Sequence, residues 1–272
     1  MNQLAVSIRA LGLPGNTEVE PLVDGASAAA WRVRAKGVSF VLRASGTSQL
    51  MDGRLSAMYA ARCAGLPAPD LVKRTSTEFG DAVLLTWLGG NTLMEVVTRN
   101  PAQARFWGRR MGLLQRRLHE IEGPPSLGDV LTDSSHPFNA GLDVAGLPDG
   151  DSLLHLDWHP LNLLVDESSN ELSGIIDWDN ARRGHPLLDL ARTKSILSVD
   201  PAVRALAPAL REVVDEMARA WEEGYGSEAS SIPAACHVWA GQVMLADLGP
   251  RYSEETLAPV RTWIKDWSDQ LP

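Results

Sequence analysis

The chain has 272 residues, with 25 Lys+Arg against 34 Asp+Glu, a formal charge of −9 and a pI near 5.2. With 44% apolar and 22% charged residues it can bury a sizeable core, which excludes a collagen, a coiled coil and a disordered chain. The acidic balance excludes a broad phosphate-gripping face for nucleic acid and suits cationic small molecules, while two cysteines, Cys63 and Cys236, make neither a disulfide framework nor a metal site and fit a reducing cytoplasm.

Met1 to Leu13 has no basic start followed by a sustained apolar stretch, and nothing later approaches the ~20 apolar residues of a membrane span, so neither an export signal nor a membrane anchor is expected. From Thr17 to Arg43 the pattern predicts three antiparallel strands, Val19 to Val23, Ala30 to Arg34 and Val38 to Arg43, with turns at Asp24-Gly25 and Lys36-Gly37. In the third strand alternation sends Phe40 and Leu42 into a core and turns Val41 and Arg43 the other way. Gln49 to Ala64 is Ala-rich and reads as a helix ended by Gly65 and Pro67; strands at Asp70 to Arg74 and Ala82 to Trp87 follow. Leu88-Gly89-Gly90 then breaks both periodicities and reads as a hinge.

Beyond it, Pro101 to Ile121 is a helix with an apolar face of Phe106, Trp107, Met111, Leu114, Leu118 and Ile121. Residues 123–150 are rich in Pro, Gly, Asp and Ser and read as a loop. Leu163 to Val165 and Leu172 to Ile176 form a hairpin, and helices are expected near Leu187 to Leu197, Ala202 to Gly224, Pro233 to Leu248 and Ser253 to Ser268. Both cysteines read as small buried residues on helices.

The chemistry concentrates in His155-Leu156-Asp157-Trp158-His159-Pro160-Leu161-Asn162, the hairpin, and Ile176-Asp177-Trp178-Asp179. A hairpin folded about Ser168 and Ser169 sets Asn162 roughly opposite Ile175, so Asn162 and Asp177 can share one cation. A carboxylate and an amide carbonyl are hard donors that suit Mg2+. Asp157, five residues before Asn162, is placed to accept the proton of a substrate hydroxyl.

The run from Leu154 to Ala191 closely resembles the aminoglycoside phosphotransferase and choline kinase-like family. Its signature of His-Gly-Asp, four residues, Asn, then Ile-Asp-Trp and Gly-Asp-Pro-x-x-Asp reads here His155-Leu156-Asp157, Asn162, Ile176-Asp177-Trp178 and Gly184-His185-Pro186-Leu187-Leu188-Asp189. Two departures are Leu156 for Gly and His185 for Asp, neither of which removes a proton or metal partner.

The resemblance implies an α+β, two-lobed, protein-kinase-like fold. Residues 1–88 would form a nucleotide-binding lobe with an antiparallel sheet, and 89–272 a helical catalytic and substrate-binding lobe. It implies Asp157 as catalytic base, Asn162 and Asp177 as Mg2+ ligands, Asp189 as a helix anchor, and ATP or GTP as phosphoryl donor. Arg43 stands where the family has a Lys, and Ser27 in the Asp24 to Ala30 turn is the candidate to cap a phosphate. Trp87 and Leu88 fall where such enzymes bind a purine through backbone groups. The expected acceptor is a small hydroxylated molecule, antibiotic-like or an amino alcohol.

The helix after Arg43 lacks the Glu that kinases pair with their basic residue; Arg54 stands near its place and Asp52 is a weak substitute. Asp179 reads either as a second metal ligand or as a carboxylate on a solvated turn. His119 reads as a packing histidine, and the acids between Ala202 and Glu228 as a solvated face more than a cation pocket. Two other readings stand beside the kinase: a metal-dependent hydrolase using His155, Asp157 and His159, and a nucleotide-binding module without activity.

Overall fold

The structure is a computed structural model that describes residues 2–22, 29–45, 48–132 and 146–271. Five strands, β1 (Glu18–Pro21), β2 (Ala29–Ala35), β3 (Val38–Ser45), β4 (Leu71–Thr77) and β5 (Gly80–Thr86), form one antiparallel sheet in the order β1-β2-β3-β5-β4. The alternation in β3 sorts as its sequence predicts. Leu42 is fully buried with Leu11, Val33, Ala82 and Leu84, and Phe40 packs on them, whereas Val41 packs against the main core on the other side. A helix absent from the sequence expectations, α1 (Gln3–Ala10), covers the first of these faces through Leu4 and Ile8, N-capped by Asn2. The helix α2 (Ser48–Cys63) follows β3 and packs into the main core through Met51, Ala57, Met58 and Ala61.

Beyond Gly90 lie a two-residue strand, β6 (Asn91–Thr92), and α3 (Leu93–Arg99), neither expected from sequence. Thr92 and Glu95 form a reciprocal capping box that starts α3. The expected helix from Pro101 begins as a 3-10 turn and runs as α4 (Ala104–His119); Trp107, Met111, Leu114 and Leu118 are buried, but Phe106 is exposed at its edge. The Phe106 ring lies instead edge-on to Trp107 and under the Arg110 guanidinium.

Two small antiparallel sheets follow: β7 (Ser152–Leu154) pairs with β10 (Arg182–Gly184), and β8 (Leu163–Asp166) pairs with both β6 and its hairpin partner β9 (Glu171–Ile175). The hairpin register puts Leu163 opposite Ile175, one residue from the expected pairing. The remaining helices are α5 (Pro186–Val199), α6 (Pro201–Arg204), α7 (Pro208–Tyr225), α8 (Ser227–Ser230), α9 (Ala234–Leu248) and α10 (Glu254–Ser268). The single helix expected from Ala202 to Gly224 is broken in two because Pro208 cannot donate to the preceding turn and starts α7 instead.

One apolar core runs from Val83 and Leu85 of the sheet through α2 to Trp107, Trp158, Trp178, Trp221 and Trp239 of the helical half. Cys236 is buried as expected, whereas Cys63 is exposed because α2 ends there. None of the described helices is long and apolar enough to cross a membrane.

Candidate active site

The loop between β7 and β8 is fixed from behind by one carboxylate. Asp189, fully buried on the first turn of α5, accepts hydrogen bonds from the backbone N–H groups of His155 (3.0 Å) and Leu156 (2.8 Å), and contacts His119 Nε2 at 2.9 Å. His119 in turn meets the Tyr225 hydroxyl at 2.9 Å, so it is the satisfied packing histidine its sequence suggests. Burial alone would raise the Asp189 carboxyl, but His119 and the backbone donors outweigh it and hold it below the usual range.

Leu156, in the family's glycine position, has φ +61° and is completely buried. His185, in the family's aspartate position, caps α5 by accepting from the Leu187 N–H at 3.2 Å.

Asp157 and Asn162 face each other across the loop. The Asn162 amide donates to Asp157 Oδ2 at 3.0 Å and to the Asp157 carbonyl at 2.9 Å. With its nitrogen so used, the carbonyl oxygen of the Asn162 side chain is left for a cation. Backbone bonding sets Asn162 beside the next strand: the Ile176 N–H donates to the Asn162 carbonyl at 3.0 Å, one residue before Asp177. Asp177 occupies the left-handed region (φ 58°), which turns the chain sharply as it leaves β9. His159 Nε2 lies 3.4 Å from Asp157 Oδ1. Desolvation opposes the Asp157 charge, but His159, aided by His155 and Arg192, pushes the carboxyl well below its ordinary value. Burial likewise opposes the His159 cation, and Asp157 more than compensates, raising it.

From the sheet, Arg43 reaches this hairpin. Its guanidinium is 3.4 Å from Asp177 and 2.7 Å from each oxygen of Asp179. Asp179 is therefore no solvated turn residue: at 8% exposure it is a buried acceptor, and Arg54 Nε also approaches it, at 3.3 Å. Asp52 does not restore the kinase ion pair, since it engages Arg74. Desolvation and neighbouring Asp179 raise the Asp177 carboxyl, against the pull of Arg43. A half-buried carboxylate destabilised in this way fits a divalent cation, as does the oxygen-only donor set of Asn162 and Asp177.

Other expectations sort plainly. Ser27 lies outside the described residues. Trp87 is half-buried with Arg32 stacked 4.4 Å above its ring, and Leu88 is half-buried beside it. The hydrolase set is not assembled: His155 is fully buried with Nε2 on the Ile176 carbonyl, and among the described residues no three His, Cys, Asp or Glu side chains group as a metal site requires. The α7 acids form a charged face, with Glu216 and Glu223 on Arg105 and Glu222 on Lys194. Arg54 and Asp179 are the residues sequence reasoning underrated; the exchange of the expected Glu for an Arg was the available signal.

A sheet-bearing half, a helical half and an Asp-x4-Asn loop beside an Asp-bearing hairpin define the kinase-like class of phosphotransferase folds. Residues 143–229, which hold Asp157, Asn162, Asp177 and Asp189, match the model of the phosphotransferase enzyme family. The fold is similar to a thermostable mutant of aminoglycoside phosphotransferase APH(4)-Ia in ternary complex with AMP-PNP and hygromycin B (TM-score 0.66, 15% identity, 96% of this chain and 98% of that one). It is also similar to an aminoglycoside-3'-phosphotransferase of type VIII (0.58, 18%, 98% and 100%) and to spectinomycin phosphotransferase APH(9)-Ia with ADP and spectinomycin (0.60, 15%, 98% and 94%). No curated protein matches the chain. Motifs, family model and fold point the same way: residues 143–229, with the loop and hairpin, match the phosphotransferase enzyme family, and the chain has a fold similar to that of aminoglycoside phosphotransferases.

Proposed function

We propose that the chain is a small-molecule kinase that moves the γ-phosphoryl group of ATP or GTP to a hydroxyl of an antibiotic-like or amino-alcohol substrate. The observation that carries this reading is Asp157, held by the Asn162 amide and by a loop whose backbone Asp189 clamps from behind. In the step proposed, the substrate oxygen attacks the γ-phosphorus, the bond to the β–γ bridging oxygen breaks, the nucleoside diphosphate leaves, and the hydroxyl proton passes to Asp157. Because His159 keeps Asp157 ionised, the carboxylate is ready to orient the hydroxyl before the proton moves. Asn162 and Asp177 would hold Mg2+, which when bound neutralises charge on the phosphates. Residues 1–88 are proposed to bind the nucleotide, with Arg43 on its phosphates and Trp87 and Leu88 by its base; the helical half would take the acceptor. Two free cysteines, one of them exposed, suit a reducing cytoplasm.

A coupled nucleotide-consumption screen over aminoglycosides, other hydroxylated antibiotics, choline-like amines and sugar derivatives tests the reading. With an acceptor that turns over, Asp157→Ala should lower kcat by about 10²–10⁴-fold; equal rates in both proteins would end the base assignment. A second reading, a nucleotide-binding module without activity, draws on the Arg in place of the helix Glu. It would show as thermal stabilisation by nucleotide with no turnover of any acceptor.

A further inference from the structure

The sheet half brings two guanidinium groups, not one, to the buried carboxylate of Asp179. Arg43 Nη1 lies 2.7 Å from Asp179 Oδ1 and Arg54 Nε 3.3 Å from the same oxygen, while Arg43 Nη2 takes Oδ2 at 2.7 Å. Kinase-type sites place one basic side chain against an acid of the following helix; here that helix, α2, supplies a second cation, and the acid comes from the hairpin 125 residues further along.

Arg54 is 9% exposed, and its Nη1 is buried with no hydrogen-bond partner among the described residues. A buried guanidinium with an unmet donor is a poor structural element, because an apolar side chain of similar length would fill the space without the desolvation penalty. Its charge is disfavoured first by burial and further by Arg43, and Asp179 offsets this only in part. A guanidinium so placed suits an anion. Once Asp177 is committed to a metal ion, Arg43 and Arg54 share the single carboxylate of Asp179, and the surplus positive charge suits a polyphosphate. Two planar forks side by side also match paired phosphate oxygens better than a point charge would.

We propose that Arg54 is a second phosphate-binding residue, forming with Arg43 a two-guanidinium clamp for the nucleotide polyphosphate, with Asp179 as the shared counter-ion that positions both. The proposal rests on the kinase reading and adds to it a binding role for a helix residue whose charge is opposite to the one expected there.

The test is a set of calorimetric titrations of the full chain, with Mg2+, using adenosine, ADP, guanosine and GDP, for wild type and Arg54→Met. The variant should bind the diphosphate at least tenfold more weakly, bind the matching nucleoside as wild type does, and melt without ligand at the same or a higher temperature. Unchanged diphosphate affinity would overturn the clamp, as would a parallel loss for nucleoside and diphosphate, which marks a structural role. If Arg54→Met does not fold, Arg54→Lys keeps the charge and removes the fork, and the same ratio of diphosphate to nucleoside affinity decides. Wild type that binds no nucleotide would instead sink the kinase reading itself.

Discussion

Leu156 sets two requirements against each other at one position. Its φ of +61° is a conformation that glycine adopts freely and a side chain resists by about 1–2 kcal/mol, yet its side chain is wholly buried in the core. Removing a buried leucine costs roughly 2–5 kcal/mol, so packing wins. Leu156→Gly should therefore destabilise the protein by about 1–3 kcal/mol, and Leu156→Ala, which loses the packing but keeps the strain, by more. Thermal melts should rank wild type above Gly above Ala; an alanine variant more stable than the glycine one would show that the strain is absent. That Leu replaces a family glycine is visible in the sequence, but that burial compensates for it is not, since the side chains around it come from distant parts of the chain. His185 is a parallel case: its ring nitrogen caps α5 where the family has Asp.

At the scale of elements, α4 and α7 approach so closely that glycines are needed. A Cβ on Gly112 would stand 2.2 Å from the Trp221 carbonyl oxygen, and one on Gly224 would stand 2.1 Å from that of Arg109. Gly112→Ala should force the helices apart and cost about 1–3 kcal/mol, read as a lowered melting temperature. An unchanged melt would mean the helices slide past each other without cost.

Elements of this length were legible: α4, α7 and α10 are long with one apolar face, and α5 and α9 are long and apolar behind Pro186 and Pro233. The short ones were not. In α1, eight residues give too few turns for periodicity to rise above chance, and α3 is recognisable only through its capping box. Exposure of Phe106 and Cys63 was likewise invisible, because position within a helix does not reveal where its neighbours stop.

Across the whole molecule, the shifted groups set how stability follows pH. His237 is buried, stacked 3.9 Å from the Trp267 ring, and burial pushes its pKa down to about 4 from 6.5. Its folded form refuses a proton that the unfolded chain accepts, so stability is complete above pH 6.5 and falls as pH drops toward 4. Asp189, also depressed, adds its loss only at lower pH, below the ordinary carboxylate value of 3.8. His159 has the opposite sign: raised by Asp157, its contribution is present below 6.5 and fades as pH climbs past its folded value. Between pH 7 and 5 the melting temperature should fall by a few degrees, about 1–2 kcal/mol, and His237→Phe should flatten that arm. The same slope in both proteins would assign the acid sensitivity elsewhere.

The motif Asp157 to Asn162 to Asp177 could be read because it spans one loop and one hairpin, where spacing dictates proximity. Arg43, 136 residues before Asp179, could be placed on a strand face but not on a partner, since only the packing of the sheet against the hairpin joins them.

The paired glycines after Trp87 divide their work unequally. Gly89 has open space around it, but Gly90, at φ +122°, lies so near β8 that a Cβ would stand 2.6 Å from the Val165 carbonyl oxygen. The linker is thus riveted to β8 on its downstream side, and the conformational freedom that paired glycines promise is left to Gly89 alone.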